Sequence, residues 1–172
     1  LLKVIKGFEP VALYIARFGQ INKQNAISIN KTLTSDAQLL VQPAGTVSKR
    51  NPVKISDLPW NKFFIRKAIQ YKRDVIPVHV QARNSWLFYN IASFRKIFRI
   101  KSNLEMFLLP REMFNKSGKT ITITVGKPIA YKTFDESQTH MEWAQKVREY
   151  VYLLDSEKFS SASTIPDFSE IL

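Results

Sequence analysis

The segment DLPWNKFFIRKAIQYKRDVIPVHVQ, Asp57 to Gln81, decides the fold class. Its first part reads as a helix capped by Asp57 or the preceding Ser56. Pro59 sits in the first turn, where a missing N–H costs no hydrogen bond. Trp60, Phe63, Phe64, Ala68 and Tyr71 fall on one helical face, with Lys62, Arg66, Lys67 and Arg73 largely elsewhere. The last seven residues, Val75 to Gln81, are a β-branched run that suits a pleated sheet. A helix leading straight into a strand is the working unit of an α/β fold.

Outward from this unit the same alternation continues. Helices are predicted over Phe8–Phe18, ending at Gly19, and over Asn25–Leu33. Gln38–Gln42 reads as a strand stopped by Pro43 and Gly45. On the far side come a helix over Trp86–Phe98 and strands at Leu104–Leu108 and Thr120–Val125. A last helix begins near Thr139, with Glu142 completing a capping box and Trp143, Val147, Val151 and Leu154 as its buried stripe. From Ser156 the sequence is serine-rich and aperiodic. The expectation is one α/β domain over 1–155, a mixed and largely parallel sheet flanked by helices, truncated at the amino end, then a loose tail over 156–172. Binding groups in such sheets collect beyond the carboxyl ends of strands, here the loops after Gln42 and Gln81.

Composition narrows the function. Cysteine is absent and only two histidines, His79 and His140, occur, so a disulfide framework is excluded and a zinc site is argued against. No metal and no cofactor is expected. No apolar run is long enough to span a bilayer. The chain opens at Leu1 in a mixed polar and apolar segment, which reads as a start inside a larger protein. Between Lys49 and Lys119 there are sixteen basic and four acidic residues, and this excess equals the net charge of the whole chain, +12. Such a region attracts phospholipid headgroups, nucleic acid or a phosphorylated substrate.

The segment LLVQPAGTVSKRN, Leu39 to Asn51, carries the first chemistry. Pro43 and Gly45 make a tight turn, and near it the hydroxyls of Thr46 and Ser48 and the cations Lys49 and Arg50 can converge on an anion. The same residues can also serve merely to end a strand.

PAGTVS, Pro43 to Ser48, resembles the third conserved block of the glycerolphosphate/lysophosphatidate acyltransferases, usually Phe-Pro-Glu-Gly-Thr-Arg-Ser, and VIPVHV, Val75 to Val80, resembles their fourth. The closest similarity is to a haemolysin-like bacterial branch, in which segments like RNSWLFYNIA, EMFNKSGKTITITVGKPI and EWAQKVREYVY recur in this order. The resemblance covers about Asp36 to Leu154. It implies transfer of an acyl group from acyl-CoA or acyl carrier protein to a hydroxyl of a lipid, peripherally, at the cytoplasmic side of the inner membrane. The implied partners are the thioester donor, the lipid acceptor and an anionic membrane surface, with no specific nucleic acid. Pro43, Gly45, Thr46 and Ser48 match the acceptor-binding block, and Lys49, Arg50 and Arg83 are added as candidate cations.

Two departures qualify this. Ala44 replaces the usual glutamate and Val47 the usual arginine, which weakens a grip on glycerol phosphate and favours another acceptor, such as an amino-acid-containing lipid. The family's catalytic histidine, with an aspartate five positions later to fix its tautomer, is also missing: Asn84 follows His79 at that spacing and Gln145 follows His140. The pair is expected upstream of Leu1, so no catalytic residue is assigned here and the fragment alone is expected to be inactive. By alternation His79 shares a strand face with Pro77 and Gln81, where it lines the acceptor pocket or is a hydrogen-bonded structural residue. Arg83, Asn84 and Ser85 either bind or cap the next helix. In Trp86–Phe98, aromatic rings beside Arg95, Lys96 and Arg99 suit a lipid interface or stacked nucleic-acid bases, or are core. The alternative to an enzyme is a non-catalytic basic module that binds anionic lipid or nucleic acid.

Overall fold

The computed structural model describes residues 23–50, 54–98, 104–155 and 165–172. The expected helix over Phe8–Phe18 lies outside these residues. The described elements run α1 (Lys23–Thr34), β1 (Lys49–Arg50), β2 (Ile55–Ser56), α2 (Phe63–Tyr71), β3 (Val78–Gln81) and α3 (Trp86–Ile97). A 3-10 helix (Leu104–Leu108), α4 (Leu109–Phe114), β4 (Thr122–Val125), a 3-10 turn (Tyr131–Thr133), α5 (His140–Leu153) and a last 3-10 turn (Phe168–Ile171) complete the order.

The amphipathic helix of the opening segment is present but starts later than its sequence cap suggests. Asp57 is engaged elsewhere, and the Asn61 side chain instead accepts from the Phe63 N–H at 2.8 Å. The helix ends at Lys72, which takes the left-handed conformation at φ 52 and ψ 45. Phe64, Ile65 and Ala68 face the core.

The strands correct the expected sheet. Among the described residues there are two antiparallel pairs, β1 with β2 and β3 with β4, in place of a largely parallel sheet. In the second pair Val78 faces Val125, His79 faces Thr124, Val80 faces Ile123 and Gln81 faces Thr122. Two segments read as strands do not form them. Gln38–Gln42 is irregular, and Leu104–Leu108 is a 3-10 helix packed on α3. Short apolar runs do not by themselves separate strand from buried helix. The class remains a mixture of helix and sheet.

The core lies between α2 and α5, where Trp60, Phe64 and Ile65 meet Trp143, Val147 and Tyr150. α5 begins where its sequence predicts: the Thr139 hydroxyl accepts from Glu142 N–H, and the Glu142 carboxylate accepts from Thr139 N–H. After β4, Gly126 leaves no room for a side chain, since a Cβ there meets Leu154 Cδ1 at 2.7 Å. Residues 165–172, expected in a loose tail, fold back on this core; residues 156–164 lie outside the described ones. Asp167 and Glu170 form a second capping box, and Phe168 packs edge-on against Tyr150 at 5.4 Å.

Candidate functional site

The Pro43–Arg50 segment is held at both ends. Gly45 N–H donates to the Gln42 carbonyl at 3.0 Å, closing the turn, and Gly45 sits at φ +63, which glycine adopts without strain. The Pro43 carbonyl accepts from Asn61 N–H at 3.1 Å, tying the turn to the start of α2. Ala44 packs against the core. A glutamate in its place would take a charge towards buried surface.

The far end is organised by Asp57. The Ser48 hydroxyl donates to Asp57 Oδ1 at 2.5 Å, and Trp60 Nε1 donates to Oδ2 at 3.2 Å. The backbone of Asp57 is fixed as well: its N–H donates to the Tyr152 hydroxyl at 2.9 Å and its carbonyl accepts from Arg148 Nη2 at 2.9 Å. The Arg148 guanidinium lies over the Tyr152 ring at 5.1 Å, and the Gln145 side chain brackets the Trp60 backbone with bonds of 2.7 and 3.3 Å. Gln145, Arg148 and Tyr152, at i, i+3 and i+7 of α5, thus form one polar stripe that positions the segment. Sequence reading missed Asp57 and this stripe. The spacing was visible, but its partner 95 positions away was not.

β1 pairs with β2, Lys49 opposite Ser56 and Arg50 opposite Ile55. Arg50 is exposed, and its Nη1 reaches Asn90 Oδ1 on α3 at 3.5 Å. Thr46 is half-buried, and no hydrogen bond involves its hydroxyl among the described residues. The structure therefore brings Pro43, Gly45, Thr46, Ser48, Lys49 and Arg50 into one short stretch. No hydrogen bond joins Arg83 to it: Arg83 is exposed before α3, and its carbonyl accepts from Lys116 Nζ.

The loop after Gln81 is spent on capping. The Ser85 hydroxyl accepts from Phe88 N–H at 3.3 Å, and Ser85 gives its own N–H and O–H to the buried Glu112 carboxylate at 2.5 and 2.6 Å. Burial pushes the Glu112 carboxyl up, but the two Ser85 bonds, with Arg111 and Lys116 nearby, outweigh it and hold the pKa below the ordinary value. Arg95 is drawn away from any interface, its Nε 3.0 Å from Glu105 Oε2 in ion-pair contact, though outside hydrogen-bond alignment. The Lys96 side chain and Arg99 lie outside the described residues.

Among the described residues neither histidine has a hydrogen-bonded carboxylate partner. His79 faces Tyr152, ring centroids 6.4 Å apart, and its buried Nδ1 has no hydrogen-bond partner among the described residues. His140 is exposed at the start of α5, beside an open groove lined by Lys62, Ile69 and Phe134 that shares no residue with Pro43–Arg50. Among the described residues no group of three potential ligands is placed to hold a metal, and no helix is long and apolar enough to cross a membrane.

A family model described as acyltransferase matches residues 1–160. The chain belongs to the acyltransferase family. The Pro43–Arg50 segment and the β2, α2 and α5 elements around it all lie within the family match. Two relatives are lyso-glycine lipid O-acyltransferases. The protein of Bacteroides thetaiotaomicron is 44% identical over 154 residues, and that of Phocaeicola vulgatus 39% identical over 154. Each alignment covers 90% of this chain but 57% and 55% of the relatives, so the chain spans little more than half their length. No solved structure matches significantly.

Proposed function

We propose that this chain carries the acceptor-binding part of a lipid O-acyltransferase whose acceptor is a lysolipid ending in a carboxylate, as a lyso-glycine lipid does when glycine is joined through its nitrogen. The observation that carries the reading is the bond from Ser48 to Asp57. It places a fixed carboxylate against the block, so an anion is repelled there and is better met further on, at Lys49 and Arg50. The repulsion grows with ligand charge, so a carboxylate suffers less than a phosphate monoester. Ala44 and Val47, where the block usually carries glutamate and arginine, agree with this shift.

In this reading the acceptor hydroxyl attacks the carbonyl of an acyl-CoA or acyl-carrier-protein thioester. An ester forms, the carbon–sulfur bond breaks, and the hydroxyl proton passes through a base to the departing thiolate. The base is assigned to a residue outside these 172, because among the described residues neither His79 nor His140 has a carboxylate partner. The protein works peripherally, at the cytoplasmic face of the membrane.

The test is acyl transfer by the whole protein to lyso-glycine lipid, with acyl-CoA and acyl carrier protein as alternative donors. Mass spectrometry should show the lipid gaining one acyl ester as free thiol is released. No product with either donor, from folded protein, rejects the proposal.

A further inference from the structure

Along α3 the apolar side chains divide. Phe88 and Tyr89 are buried and meet edge to face at 5.5 Å. Trp86, Phe94, Ile97 and Phe98 are 73%, 59%, 72% and 67% exposed. At about 100° per residue these four fall within ~120° of the helix circumference, so they form one face. Phe94 and Phe98 stack at 6.3 Å with planes 7° apart. Scattered exposed aromatics are ordinary, whereas a contiguous face of large ones marks an interaction site.

The exposed charges described around this face have one sign. Exposed Arg83 lies three residues before Trp86, and exposed Arg50 reaches Asn90, which falls on the same arc. α3 itself has no acidic residue. The nearby carboxylates are engaged: Glu105 and Glu112 are buried, against Arg95 and Ser85, and half-buried Asp57 accepts from Ser48 and Trp60. A second copy of this face would offer the cations no exposed anion from α3. An anionic bilayer offers both an apolar boundary for the rings and phosphates for the arginines.

We propose that this face of α3 inserts into the headgroup boundary of an anionic bilayer, led by Trp86, with Arg83 on lipid phosphates. Docked this way, Lys49 and Arg50 stand at the membrane surface, where a lipid acceptor enters laterally. The inference deepens the acceptor reading above and rests on it for that last step alone.

Trp86 provides the test, since Trp60 and Trp143 are buried at 8% and 3% exposure. Vesicles of phosphatidylcholine with phosphatidylglycerol should shift its emission to the blue, and brominated lipids should quench it. Trp86→Phe should lose both signals. Phe94→Ser/Phe98→Ser, with its fold verified by circular dichroism, should weaken vesicle binding by about tenfold or more. Three outcomes overturn the proposal: vesicle binding without Trp86 quenching, a blue shift that needs protein concentration and no lipid, or Trp86 protection by single-stranded RNA in preference to vesicles. Protein that docks as predicted but transfers no acyl group sinks the proposed function and leaves the docking inference standing.

Discussion

The hydroxyl of Ser48, last residue of the Pro43–Ser48 block, donates to Asp57 Oδ1 at 2.5 Å, and the Asp57 backbone in turn bonds to Tyr152 and Arg148 of α5. Among the described residues Asp57 makes four such bonds, accepting from Ser48 and Trp60 on its side chain and from Arg148 on its carbonyl, and donating its N–H to Tyr152. Asp57→Ala removes the side-chain acceptor and leaves two donors without a partner in a half-buried site. It should cost about 2–3 kcal/mol of stability, with Ser48→Ala nearer 1 kcal/mol. Chemical denaturation of both variants checks the order; equal costs would mean that Trp60 finds another acceptor.

Glu112 gives the fold an acid limit. Its carboxyl is held below its ordinary pKa, so its contribution to stability is fully present above the ordinary carboxylate range. That contribution is lost as pH falls through the depressed value, because the protonated acid no longer accepts both Ser85 bonds as an anion. At neutral pH, Glu112→Gln should cost about 1.5–3 kcal/mol, and the gap to wild type should narrow below pH ~4. Urea unfolding across a pH series measures it. Asp167, lowered to about 2 chiefly by its bonds from Ser169 and then Lys127, should shed the last turn only in stronger acid.

Lys72 ends α2 in a left-handed conformation that a β-carbon disfavours, and it is exposed. Lys72→Gly should therefore stabilise the protein by about 0.5–1 kcal/mol, against the usual penalty for introducing glycine. A lower melting temperature for this variant would show that the lysine side chain makes a compensating contact.

Much of this was legible locally. The capping box at Thr139 and Glu142, the α2 stripe from Phe64 to Ala68, and the helix from Trp86 are written in short-range spacing. The block from Pro43 to Ser48 was likewise visible as a turn beside cations. What failed depended on distant partners. Leu104–Leu108 has the composition of a strand but packs as a 3-10 helix on α3. Asp57 looked like a helix cap until Ser48 and Trp60 claimed it. The serine-rich run before Ile165 concealed a second capping box that returns Phe168 to the core.

His79 stands in the strand of the fourth block, yet among the described residues its buried Nδ1 has no hydrogen-bond partner. In the whole protein, His79→Gln should keep acyl transfer within about tenfold of wild type. Loss of a true general base costs ~10²–10⁴-fold. A loss of that size in folded protein would make His79 the catalytic residue.

Lys49 and Arg50 are proposed to hold an acceptor carboxylate beside the Ser48–Asp57 pair. The direct measurement is kcat/KM of the whole protein for lyso-glycine lipid and for lysophosphatidate, in wild type and in Lys49→Ala/Arg50→Ala. Wild type should prefer the carboxylate acceptor. The double variant should lose about 1.5–3 kcal/mol of transition-state binding per lost charge-assisted bond, felt mainly in KM. Equal or better turnover of lysophosphatidate, or unchanged kinetics in a folded double variant, would contradict it and move the anion site to Arg83.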